Sequence, residues 1–176
     1  MHLTAQTAAA WGLAMPLAML LPATALPKPP EPPSANVRLT DPTAAETVRR
    51  MLRLAADRLA RPECQRIFSD FRDAEGRPLK EKLDAEGVTG QSYLGLLLLH
   101  DGSAHPRCRT NQIYAVARPG SRTVLICSAK FAKLALRRPR MAQAVLIHEA
   151  LHALGLGENP PSSTEITFRV SARCGL

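Results

Sequence analysis

Aromatic side chains are scarce in this chain of 176 residues, where Phe, Trp and Tyr together supply 4% of positions. The sole tryptophan, Trp11, falls in the N-terminal stretch. A base-stacking platform is therefore hard to assemble, which argues against nucleic acid as a partner despite the net charge of +8. Neither Lys, Arg, Asp nor Glu occurs in the first 25 residues, so the whole of that charge lies downstream. The four cysteines, Cys64, Cys108, Cys127 and Cys174, include no C-x-x-C spacing, which argues against a cysteine zinc site. Internal repeats are absent. The apolar run from Ala8 to Leu21 is short, broken by Pro16 and closed by Pro22, which argues against a stable membrane span.

What is present divides the chain into three parts. The uncharged run followed by Ala23-Thr24-Ala25, a small-x-small cleavage pattern, reads as a secretory signal peptide over residues 1–25. Residues 26–40, with five prolines between Leu26 and Ser34, read as a stiff extended linker. Residues 41–176 are long enough for one domain with its own core. An even number of cysteines agrees with export to a periplasmic or extracellular location and predicts disulfides. Three pairings are possible; Cys108 and Cys127 flank an expected hairpin, which favours joining them and leaves Cys64 with Cys174. A basic exported protein can also dwell on anionic envelope surfaces such as lipid head groups or acidic wall polymers. An ordinary solvated basic surface is the plainer explanation of the same charge.

The pattern of apolar residues predicts an α+β domain, mostly helical, with a small sheet. Asp41 caps and Pro42 opens a helix to about Ala60, on which Ala45, Val48, Leu52, Ala55 and Leu59 form one apolar stripe. A short helix is expected over Glu63–Phe71 and another around Leu79 and Leu83, ending at Gly87. The stretch Gln91 to His100 fits a buried helix or a buried strand, and Gly95 weakens either reading. Ile113, Ala115 and Ala117 alternate with Tyr114, Val116 and Arg118 up to the turn Pro119-Gly120-Ser121. Val124 to Cys127 is the return strand. A short helix opens at Ser128, Pro139 restarts the chain after Arg137-Arg138, and a last helix is expected from Ser163 to Cys174.

The helix after Pro139 carries the chemistry. Within Val145-Leu146-Ile147-His148-Glu149-Ala150-Leu151-His152, the two histidines are four residues apart and so stack on one helical face. Imidazoles at that spacing can share one metal ion. Glu149 stands one step round the helix, near enough to act on a water there without being a ligand. From Met141 to Gly157 it is the only residue with a formal charge. A carboxylate in so apolar a helix needs something to offset its desolvation, and a divalent cation is the simplest candidate. The plain alternative is a helix whose two histidines are satisfied in the core.

This His-Glu-x-x-His pattern resembles the active-site helix of the zincin metallopeptidases. From about Arg61 to Gly175, the order of elements is similar to that of small exported bacterial metallopeptidases with a minimal zincin core. That order is a cysteine-bearing helix, a hairpin, Cys127 to Phe131, the metal helix, Gly-Leu-Gly-Glu-Asn-Pro-Pro and a final helix with a cysteine. The resemblance implies a Zn2+ ion on His148 and His152, Glu149 as general base, and a peptide or protein substrate. It also implies that the hairpin supplies an edge strand above the metal, to which an extended peptide can add. A catalytic zinc needs a third ligand and an open position. Gly155 can turn the chain back in a left-handed conformation, and Glu158 then falls six residues after His152, where the metzincin branch carries a histidine. The glutamate departs from that pattern, as does the lack of any methionine after Met141. Glu165 is the alternative third ligand, although Ser162-Ser163-Thr164-Glu165 also fits a capping box. Tyr114 and His105 are available as oxyanion donors, with nothing in the sequence to assign either.

Overall fold

A computed structural model describes residues 36–176. The leader expected over 1–25 and the proline-rich part of the linker lie outside the described residues. Asn36–Arg38, at the far end of that linker, forms a strand, β1. Its single apolar residue, Val37, gives no periodicity to read, so it becomes a strand only through pairing with a partner 62 residues away, Leu99.

Asp41 accepts the Thr43 N–H at 2.8 Å and Pro42 takes the first position of α1 (Pro42–Leu59), as the capping signal predicts. The stripe of Ala45, Val48, Leu52, Ala55 and Leu59 is buried. The single helix expected over Glu63–Phe71 is instead two one-turn pieces, α2 (Pro62–Gln65) and α3 (Ile67–Asp70), which meet at Arg66. Cys64 on one side is held by a disulfide, while Ile67 and Phe68 on the other enter the core. One regular helix does not serve both anchors. After α4 (Leu79–Ala85), the ambiguous leucine-rich stretch turns out to be both a helix and a strand. Its first half is α5 (Gly90–Leu94), capped by the Thr89 hydroxyl, and its second half is β2 (Leu98–Asp101). Gly90 opens that helix because a Cβ there would stand 2.1 Å from the Phe68 ring.

A 3-10 turn over Pro106–Arg109 leads into the expected hairpin, β3 (Ala115–Ala117) and β4 (Thr123–Ile126). The four strands form one mixed sheet in the order β1-β2-β4-β3, parallel except for β3 against β4. Ala115 pairs with Ile126, and Ala117 with Val124, which in turn lies beside Leu99. All five are buried, so one face of the sheet carries the core and the helices. Among the described residues the pairing leaves β3, like β1, at an edge of the sheet. The fold is α+β and mostly helical, as the sequence predicts.

Three helices complete it: α6 (Ser128–Arg137), α7 (Pro139–Ala153) and α8 (Ser163–Cys174). From Ala142 to Ala153, every residue of α7 except Val145 is buried, so this helix is the centre of the domain rather than one of its walls. It packs against α1, α6, α8 and β3. The disulfides Cys64–Cys174 and Cys108–Cys127 match the expected pairing. The first ties α2 to the end of α8, and the second ties the 3-10 turn to the junction of β4 and α6. The two bridges agree with an oxidising compartment. Among the described residues no helix is long and apolar enough to cross a membrane.

Candidate metal centre

The site is assembled at the C-terminal end of α7. Gly155, at φ +113°, ends the helix: its N–H donates to the His152 carbonyl and the Leu156 N–H donates to the Leu151 carbonyl. These two bonds form a Schellman closure, in which a residue without Cβ takes the positive φ. The closure brings the Leu156 carbonyl back over the helix end, where it accepts from His152 Nδ1 at 2.7 Å. His152 therefore carries its proton on Nδ1 and turns the lone pair of Nε2 into the site, an orientation that outer partners impose on metal-binding imidazoles. The hairpin turn secures the same spot, since Gly120 N–H donates to the His152 carbonyl at 2.9 Å.

His148 Nε2 faces that lone pair at 2.9 Å, while its Nδ1 lies 3.0 Å from the Thr167 hydroxyl on α8. Two ring nitrogens so close need something between them, either an N–H of the His148 ring donated to that lone pair or a cation. The turn after Gly155 then delivers Glu158, whose Oε1 lies 3.8 Å from His148 Nε2 and 3.6 Å from His152 Nε2. A tetrahedral ion with bonds of about 2.0–2.1 Å sets its ligand atoms roughly 3.3 Å apart. The three separations of 2.9, 3.6 and 3.8 Å straddle that value, so the group could hold a metal ion.

Protonation favours the same use. Burial lowers the pKa of His152, assisted by the neighbouring His148, which keeps the ring neutral as a ligand must be. Glu158 is held down at about 2, chiefly by the nearness of the His148 ring against the opposing effect of partial burial, so it stands as an anion. Arg107, from the 3-10 turn, places Nη2 3.7 Å from the other oxygen of Glu158.

Glu149 belongs to the site without joining this group. It is buried, and its Oε2 finds no hydrogen-bond partner among the described residues. Burial pushes its carboxyl up to about 7, although the charge of His148 and the Ala117 N–H of β3 oppose the rise. An orphaned buried oxygen of this kind is costly unless something not of the protein meets it. The histidines, Glu149 and Glu158 open onto a cleft of about 670 Å³ whose floor is α7 and whose sides are β3 and α8. The Tyr114 carbonyl accepts from the Cys127 N–H, so by antiparallel alternation the backbone groups of Ala115 and Ala117 point away from β4, toward the cleft.

The alternative ligand Glu165 is not brought to the group. Its N–H is capped by Ser162, and its carboxylate is 43% exposed and pairs with Arg169 at 2.6 Å. Only half of the expected capping box forms, because the side chain takes this cation instead of the backbone. Of the two available donors that the sequence left unassigned, Tyr114 lines the cleft and His105 does not: its Nδ1 accepts the Arg107 N–H. Thr167, Arg107 and the Leu156 carbonyl escaped the sequence, since they meet the motif only through tertiary packing or a turn. Glu158→Ala is expected to weaken metal binding by on the order of a hundredfold or more, beyond what loss of an outer partner does. Glu165→Ala should leave it unchanged; metal content after dialysis ranks the two, and the reverse order would move the third ligand.

Compared with known proteins, the chain gives no significant match to any family model, curated protein or solved structure.

Proposed function

We propose that the chain is an exported zinc-dependent metallopeptidase of zincin type. The observation that carries this reading is the coincidence of a three-ligand group, His148, His152 and Glu158, with a buried carboxylate, Glu149, that has an unpartnered oxygen beside it. Two imidazoles and a carboxylate with an open side are the donor set of a catalytic zinc rather than a closed structural one. A zinc ion so held supplies Lewis acidity toward water and toward the scissile carbonyl. Glu149 takes one proton from the attacking water as its oxygen adds to the carbonyl carbon, and the π pair moves onto the carbonyl oxygen. The same carboxyl then gives that proton to the leaving nitrogen as the C–N bond breaks, releasing an amine and a carboxylic acid that ionises. Burial, which raises its pKa, suits the carboxyl to give that proton back to the leaving nitrogen.

The cleft supports an extended peptide as the substrate. Edge strand β3 turns backbone donors and acceptors toward it, which suits an extended peptide added as a further strand. The test is zinc analysis of the purified chain together with hydrolysis of a mixed peptide library. We expect one zinc per chain and activity that a chelator removes and added zinc restores. A metal-free chain whose melting temperature ignores zinc would instead support a non-enzymatic exported binding protein.

A further inference from the structure

Hydrolysis by water leaves one charge that the residues assigned so far do not meet. As the carbonyl carbon becomes tetrahedral, its oxygen turns anionic and calls for a fixed donor. Arg107 has the position and chemistry for it. Among the described residues it is the one lysine or arginine that lines the cleft. Its guanidinium reaches Glu158, and its charge is felt at Glu149. The 3.7 Å to Glu158 is too long for a hydrogen bond, so none of its five N–H donors is committed to that carboxylate. The side chain is 54% exposed, on the cleft side of the 3-10 turn. The backbone below it is held on both sides: His105 accepts the Arg107 N–H, and Cys108 is bonded to Cys127. The fixed backbone keeps the guanidinium at the cleft, and its uncommitted donors can turn toward charge that develops there.

We propose that Arg107 is the oxyanion donor of this site, a catalytic residue that binds the tetrahedral state more tightly than the peptide. The inference rests on the metallopeptidase reading. It predicts that loss of the guanidinium removes stabilisation specific to the tetrahedral state. Arg107→Gln should lower kcat by about a hundredfold to a thousandfold, with KM and zinc content close to wild type. Arg107→Lys, a cation with fewer and differently placed donors, should recover part of the loss.

The readout independent of turnover is calorimetric binding of a phosphonamidate peptide, built on the best-cleaved library sequence, to the zinc-loaded full chain. Arg107→Gln should weaken this tetrahedral anion by a factor similar to its loss of kcat, at an unchanged melting temperature. Four results would overturn the proposal: equal binding by variant and wild type; a parallel loss of zinc, which would make Arg107 a support for Glu158 only; a change in KM alone that vanishes with C-terminally amidated peptides, which would make it a carboxylate anchor; and transfer of the whole effect to Tyr114→Phe. A wild-type chain that hydrolyses the library while Arg107→Gln matches it defeats this inference alone. A wild-type chain that neither hydrolyses the library nor binds zinc defeats the reading of the site as well.

Discussion

Glu149→Gln is expected to abolish peptide hydrolysis, by about 10²–10⁴-fold, while the variant keeps the zinc of the wild type. The amide has the size and shape of the carboxyl, so the packing around it on α7 and β3 should hold. It cannot accept a proton from water, and that is the step assigned to Glu149. The proposed ligand atoms of His148, His152 and Glu158 are untouched, which separates this variant from one that merely loses metal. A second sign of the same cause should appear in the metal-free protein. There Glu149 is a buried carboxyl with an oxygen that no group among the described residues meets. Replacing it with a neutral amide removes a group whose charged form is costly to bury, so the variant should melt no lower than wild type. Parallel assays of hydrolysis, zinc content and thermal melting check the three statements. Retained turnover of the peptide library would remove Glu149 from the mechanism, whatever the metal content.

What the sequence made legible is what short-range physics decides. The pair His148 and His152 shares a face because any helix places residues four apart there, and the uncharged surroundings required that helix to be buried. Gly155 and Glu158 were legible together, since a left-handed residue ending a helix fixes where the following few residues can go. Asp41-Pro42 and Ser162 marked helix starts for the same local reason, and an alternating pattern around Pro119-Gly120 marked the hairpin.

The remainder depends on partners distant along the chain. Thr167 meets His148 from another helix, and Arg107 meets Glu158 only because the 3-10 turn is docked beside the cleft. Neither position differs locally from any exposed threonine or arginine. β1 is three residues long and exists by virtue of β2. The stretch from Gln91 to His100 resisted assignment because it changes from helix to strand within it, and each piece is too short for its period to be read. Glu165 shows the opposite case: a residue with the right chemistry and a credible spacing is claimed by Ser162 and Arg169, both within four residues of it.

Removing the Cys64–Cys174 bridge is expected to cost roughly 2–5 kcal/mol of unfolding free energy, the range usual for a native disulfide in a small exported domain. The bridge joins residues 110 apart, so it constrains most of the described chain when unfolded. Cys108–Cys127 closes only 19 residues, and on the loop-entropy scale its loss should cost about 1–2 kcal/mol less. The ranking should reverse for catalysis if Arg107 acts as proposed, because Cys108 anchors the turn that carries it. For the longer bridge the functional consequence runs through α8: Cys174 holds the end of the helix on which Thr167 meets His148. Cys64→Ala/Cys174→Ala should therefore lose stability first and zinc affinity in proportion, whereas Cys108→Ala/Cys127→Ala should lose turnover at nearly normal zinc content. Urea unfolding of both double variants under non-reducing conditions gives the stability ranking, and zinc titration with peptide hydrolysis gives the functional one. A Cys108→Ala/Cys127→Ala variant that is fully active, beside an Arg107→Gln variant that is not, would show that the turn holds its arginine without the bridge. Equal unfolding free energies for the two double variants would mean that loop length is not what sets the contribution of these disulfides.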